Sequence, residues 1–461
     1  MNTKKEKTPS DKTRSGSKQN KMATMPMNSL LWTMAIPLMM SLLVQSLYNI
    51  VDSIFVSRLS EQALTATSLA YPVQFLMIAV GVGTAVGMNA LLSKMIGQNR
   101  GDDACRVATT GFFLTLATSV IFSTAGLLFS TSIAHAFTDD TEIADLCSRY
   151  LLVCMAVCFG NFFQTYAQRL LQAVGDTFLS MMSLIIGAVT NMILDPIMIF
   201  GLFHFPRLGI TGAAIATVIG QCLGAVSALL FNRLKNPLIH IRFKNYRFEK
   251  QDVLAIYRVG LPTIIMQAIG SFMTMAVNAV LISISSTAVA FFGVYYKLQN
   301  FLMMPMNGLG QASIPIVGFN YGAGNRLRIK QAWDSIRPAG ILFSLFATVV
   351  FMLFPGNLLR LFAASGEMLS IGIPAIRIMA PTFVFATFSI LIGYFCSGLQ
   401  NGIVNMISAA IRQLVILVPG IWLLTRYFGL PYTWMAFWFA EAAAFIFSEI
   451  SFRKLLRKAG V

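Results

Sequence analysis

The chain of 461 residues is 56% hydrophobic and only 11% charged, with a mean hydropathy of +0.70. A soluble protein draws roughly 25% of its residues from the charged types, so 34 Lys+Arg and 18 Asp+Glu cannot cover a water-exposed body of this size, and a soluble globule is excluded. The formal net charge of +16 is parcelled between apolar runs, which reads as membrane topology and excludes a nucleic-acid face.

Residues 1–28 differ in kind from the rest of the chain. Seven basic residues, Lys4, Lys5, Lys7, Lys12, Arg14, Lys18 and Lys21, stand against Glu6 and Asp11, predicting a disordered, basic, cytoplasmic tail. It is not a cleavable signal, because the apolar run behind it is far longer than a signal core. From there, apolar runs of the roughly 20 residues that cross a hydrocarbon layer recur to the end. Twelve spans are predicted, at about 30–55, 63–93, 107–135, 146–171, 178–200, 209–232, 257–284, 288–318, 335–362, 372–399, 403–425 and 433–454. The charge-free stretches 259–296 and 378–411 are too long for one span; Ser283, Ser285 and Ser286 turn the first, and Gly398, Asn401 and Gly402 the second.

With the N-terminus inside, 25 Lys and Arg fall in inside segments and five outside, where Asp139, Asp140, Glu142 and Asp145 also fall. Both termini are therefore predicted to be cytoplasmic. The densest basic stretch within the body, 233–256, reads as a cytoplasmic linker between an N-lobe (29–232) and a C-lobe (257–455) of six spans each, with 456–461 a cytoplasmic C-terminus. The lobes also repeat each other at an offset near 225. Ile36-Pro37 recurs as Leu261-Pro262, Gly81-Val-Gly83 as Gly308-Leu-Gly310, and Gly97-Gln-Asn-Arg100 as Gly322-Ala-Gly-Asn325. Parallel repeats around a central site are typical of secondary transporters.

A charge inside a span costs roughly 2.5–3.5 kcal/mol on insertion scales, so each is a functional candidate. Asp52 lies in the outer half of span 1. Asn191 and Asp195 sit one turn apart on span 5 and share a face. These oxygens can hold a sodium ion, or take up and release a proton, since burial disfavours the charged carboxylate. A structural reading stands beside this one: Asp195 caps a helix broken at Pro196, and Asp52 sits at the interface near Arg58. Thr217 in span 6 can add a hydroxyl, although a helical Thr commonly bonds its own backbone. Glu441 in span 12 is a second-half candidate, and Glu449 reads as an ion pair with Arg453. Arg169, Arg377 and Arg412, near span ends, are expected to snorkel to water. Lys297, deeper in span 8, is a candidate for a water-filled cavity. Met273 and Met303 are candidates for an adaptable apolar wall, with lipid-facing or core filler the plainer reading.

The remaining signals are negative or structural. The glycine spacings Gly83-x-x-x-Gly87 and Gly220-x-x-x-Gly224 mark close helix contact. Cys105, Cys147, Cys154, Cys158, Cys222 and Cys396 form no C-x-x-C and read as small packing residues, and His135, His204 and His240 fall at or outside span ends. The sequence has no nucleotide-binding glycine loop, no H-E-x-x-H and no G-x-S-x-G, so uphill transport would have to draw on an ion gradient.

Five ordered motifs carry a family resemblance. Ile36-Pro37 with the later Leu47-Tyr-Asn-Ile-Val-Asp52 resembles the opening motif of multidrug and toxic compound extrusion (MATE) transporters. So do Leu170-Leu-Gln-Ala-Val-Gly175-Asp-Thr, Asn191-Met-Ile-Leu-Asp195-Pro, Gly209-Ile-Thr-Gly-Ala-Ala-Ile-Ala-Thr217 and Pro315-Ile-Val-Gly-Phe-Asn-Tyr-Gly-Ala-Gly-Asn325. The resemblance runs from about residue 30 to 455 and is similar to the bacterial multidrug exporter branch. It implies an all-α integral membrane fold of two six-helix bundles around a cleft, and a secondary antiporter rather than an enzyme. Cationic or amphipathic small molecules would leave in exchange for H+ or Na+, with no resident cofactor, no ATP and no nucleic acid. The expected setting is the lipid of a bacterial plasma membrane, with the chain a monomer. It places Asp52, Asn191, Asp195 and Thr217 on the family's N-lobe cation site, with Asp52, Asn191 and Asp195 as ligands if the ion is sodium. Span 7 has Asn278 but no carboxylate and span 10 has none, which leaves the acidic C-lobe residues of some members unmatched. Two rival readings stand beside this one: a lipid-linked oligosaccharide or metabolite flippase of the same superfamily, and an integral-membrane enzyme. Twelve spans and a single deep Lys297 argue against the first, and the absence of a clustered His, Cys or carboxylate set at a membrane face against the second.

Overall fold

The computed structural model describes residues 21–244, 246–362 and 365–460. Every regular element among them is helical. The twelve long helical segments are α1 (Met27–Ser57), α2 (Glu61–Gly97), α3 (Gly101–Phe137), α4 (Thr141–Ala156 continuing as Phe159–Ala173), α5 (Thr177–Phe200) and α6 (Ile210–Lys235), then α7 (Lys250–Ile282), α8 (Ser286–Gly322), α9 (Arg326–Leu353), α10 (Gly366–Gly398), α11 (Ile403–Phe428) and α12 (Leu430–Ala459). Each predicted span coincides with one of them, and the predicted turns at 283–286 and 398–402 separate α7 from α8 and α10 from α11.

Ten segments are apolar enough to cross a membrane, and α4, bent by 44° between its two parts, makes an eleventh. The exception is α8, with 37 residues long enough, at 1.5 Å per residue, to reach across with length to spare. α8 is wedged between α1 and α2 on one side and α10 on the other. α11 is also irregular, with a π-helical turn over Ile411–Leu417.

The helices form two bundles, α1 to α6 and α7 to α12. The bundles meet reciprocally, α2 against α7 and α1 against α8, the pairing an internal two-fold would give. Glycines set how closely they approach. A Cβ on Gly97 would overlap the carbonyl of Phe319, and one on Gly322 that of Lys94; on Gly87 it would overlap the carbonyl of Ile256 and lie 2.9 Å from the nitrogen of Gly260. The backbones of the two bundles are therefore in contact where α2 and α8 end and α7 begins, which is the end carrying the basic segments.

Three expectations need correction. The helices run past their apolar cores, α6 to Lys235, α7 from Lys250 and α12 to Ala459, so the connection between bundles is shorter than the 233–256 read from charge. It is tied down by Arg106, whose guanidinium meets Asp252 at 2.8 Å and Glu249 at 3.1 Å, and by Arg242 with Asp102 at 2.8 Å. Nor is all of 1–28 a tail: residues 1–20 lie outside the described residues, but Lys21–Thr24 is helical, Met22 is fully buried, and Arg328 Nη2 donates to the Met25 carbonyl at 2.8 Å. Finally, Pro196 does not break α5, which runs through it to Phe200.

Candidate functional site

The site is assembled from three helices of the first bundle. On α5, Asn191 and Asp195 lie four residues apart and face inward, 3% and 0% exposed. α6 presses against this face because neither helix carries a side chain at the contact. A Cβ on Gly187 would lie 2.8 Å from the Gly220 carbonyl, and one on Gly220 2.7 Å from that of Gly187. That approach brings Thr217, one turn before Gly220, to the α5 pair. Asn191 Nδ2 donates to Asp195 Oδ1 at 3.1 Å and reaches Thr217 Oγ1 at 3.3 Å. From α1, the Asp52 carboxyl lies near that of Asp195.

Asp52, Asn191, Asp195 and Thr217, which the family resemblance assigns to one site, therefore lie together. Three of their oxygens, Asp52 Oδ1, Asn191 Oδ1 and Asp195 Oδ2, are buried with no hydrogen-bond partner. All are acceptors when the carboxyls are ionised, and buried acceptors are rarely left unpaired. Two carboxylates held close together also repel each other when both are ionised. Tyr48, one turn before Asp52 on α1, lies within electrostatic reach of both carboxyls. Sequence reasoning missed it, although its spacing of four residues from Asp52 was a usable signal.

Arg169 departs from expectation. Rather than snorkelling to water it is 7% exposed, donating from Nη1 to Gln172 Oε1 and from Nη2 to Gln311 Oε1, each at 2.8 Å. Gln311 belongs to α8, so this contact ties one bundle to the other. The end of α4 is roofed by the second bundle, and the guanidinium points into the joint. Lys297 is exposed, but Met273, Met303 and Glu441 are buried within the second bundle. These four are not brought together around one open wall. Glu441 instead faces Arg412 at 3.8 Å. The Glu449 and Arg453 pair forms at 2.6 Å.

The sequence profile of the MatE family matches residues 37–197 and again 262–423, once in each bundle. The chain belongs to this family. Proteins similar to it include the multidrug export protein MepA of Staphylococcus haemolyticus (strain JCSC1435), 24% identical over 409 residues and covering 86% of each chain. Another is an FAD transporter of Shewanella oneidensis, 25% identical over 314 residues, covering 67% of this chain and 68% of that one. Among solved structures, a MOP superfamily transporter from Pyrococcus furiosus Vc1 matches with a TM-score of 0.89 at 24% identity, covering 96% of this chain and 99% of the other. The outward-facing conformation of a multidrug resistance MATE family transporter matches with the same score, identity and coverage. The MATE fold of twelve helices in two bundles is thus shared along nearly the whole chain, and the protein is a membrane transporter of the multidrug and toxic compound efflux family rather than an enzyme.

Proposed function

We propose that this MATE transporter exports cationic or amphipathic compounds from the bacterial cytoplasm in exchange for an inward-moving H+ or Na+ bound at Asp52 and Asp195. The observation that carries this reading is the set of three buried, unpartnered acceptor oxygens on Asp52, Asn191 and Asp195. In the proposed cycle the ion enters from the side opposite the basic segments and fills the cluster. It draws α1 and α5 together, weakens the hold on drug, and leaves to the cytoplasm once the bundles rock and the basic end opens. One elementary charge moving inward gains about 2.3 kcal/mol per 100 mV, which at 1.4 kcal/mol per decade supports a roughly fortyfold gradient of a neutral substrate. The coarser part, efflux by a MATE protein, rests on the family. The ion and the substrate charge rest on the cluster and on the multidrug relatives.

The test is dye efflux from energised cells with the sodium and pH gradients collapsed separately. Loss of efflux under one treatment alone names the ion. Efflux surviving the collapse of both, with the membrane potential also abolished, contradicts ion coupling.

A further inference from the structure

Away from the cation cluster, the outer side of the second bundle carries a groove of about 350 Å³. α9 and α12 form its walls and α10 its floor. Its lining is graded along the helix axes. On α9 the residues facing it are Trp333, Arg337 and Ile341, four apart; on α12 they are Phe445, Glu449 and Arg453, also four apart. α9 runs away from the basic end and α12 toward it, so Trp333 stands level with Arg453 at the mouth, Arg337 lies one turn deeper at the level of Glu449, and Ile341 and Phe445, with Phe388 of α10, make the deep part apolar. The aromatic wall is fixed in place: Trp333 packs on Phe452 at 4.5 Å and Phe395 at 5.5 Å, and Phe388 on Phe445 at 5.7 Å.

The charges at the mouth are unbalanced. Arg453 is paired with Glu449 at 2.6 Å, but Arg337 makes no ion pair or side-chain hydrogen bond among the described residues. Around it, Arg326, Arg328 and Lys330 precede on α9, and Lys454, Arg457 and Lys458 follow on α12, against Asp334 and the Glu449 already paired with Arg453. The two basic helix ends meet, since the Arg326 guanidinium lies against Gly460. A cleft between membrane helices with a cationic mouth and an apolar depth has the chemistry to hold an anionic headgroup and its chain. We propose that this groove binds an anionic glycerophospholipid, its phosphate on Arg337 below Arg453 at the mouth and an acyl chain along Ile341, Phe388 and Phe445.

The experiment is native mass spectrometry of the purified, delipidated full chain titrated with phosphatidylglycerol or phosphatidylcholine. Phosphatidylglycerol should bind more tightly. One basic residue near an anionic lipid surface is worth about 1 kcal/mol, so Arg337→Gln should weaken phosphatidylglycerol binding roughly fivefold and leave phosphatidylcholine unchanged. Arg233→Gln, on the other bundle at the same end, is the control and should have no such effect. Equal retention of the two lipids by the native chain overturns the proposal, as does an equal loss in Arg337→Gln and Arg233→Gln. Thermal unfolding of both variants, expected at the native temperature because both arginines are exposed, separates lost binding from lost fold.

Discussion

Two buried polar residues carry opposite kinds of information. Asp195 is incomplete: one oxygen is held by Asn191 and the other has no hydrogen-bond partner. Arg169 is complete, but its second partner belongs to the other bundle. Replacing Gln311 by Leu strips the guanidinium of that acceptor and leaves a buried charge under-paired. We expect a loss of about 1–3 kcal/mol, read as a lowered thermal unfolding midpoint. Gln311→Glu supplies a counter-charge at the same place, and should raise the midpoint while slowing efflux, because the proposed cycle opens this joint. The acidic cluster was legible in the sequence since a carboxylate within an apolar span has few other reasons to be there. The role of Arg169 was not, because its distance from a span end says nothing about which helix roofs that end. The same blindness hid the approach of Arg412 to the buried Glu441.

Among the helices, glycine placement decides how the bundles meet. The spacing Gly83-x-x-x-Gly87 announced a close contact, but not that its partner would be Gly260 on α7, in the other half of the sequence. Gly87→Ala places a methyl where the Ile256 carbonyl now sits, so α2 and α7 must separate. With spin labels at Gln98→Cys and Lys250→Cys, the distance distribution should move outward by several ångströms relative to the same pair with Gly87 intact. The spans were readable for the simple reason that apolar length is a local property. The helix ends were not, because the last turn of α6, Asn232 to Lys235, and the first turns of α7 continue the helix beyond the apolar core, where charge patterning alone reads a linker.

In the molecule as a whole, the bundles touch backbone to backbone at the basic end, while Asp52, Asp195 and Thr217 lie toward the opposite ends of α1, α5 and α6. The proposed exchange by alternating access would require this joint to part once per cycle. Ser93 on α2 and Gly318 on α8 offer a direct handle, since a Cβ on Gly318 would lie 3.2 Å from the Ser93 Cβ, close to the separation a disulfide spans. In a cysteine-depleted background, Ser93→Cys with Gly318→Cys should cross-link on oxidation and stop efflux, and a reductant should restore it. Efflux undiminished in the fully cross-linked protein would mean that this end does not open. The repeat that places the two halves back to back was visible in the sequence as an offset near 225 residues, but which face of each half meets the other depends on small residues whose partners are remote.

Coupling of export to an inward ion at the Asp52 and Asp195 pair is tested most directly by Asp195→Asn in proteoliposomes. Uphill efflux driven by an imposed sodium or proton gradient should be lost, while downhill movement of the same drug across the reconstituted protein persists. Gradient-driven uphill efflux by Asp195→Asn at the native rate would contradict coupling at this pair.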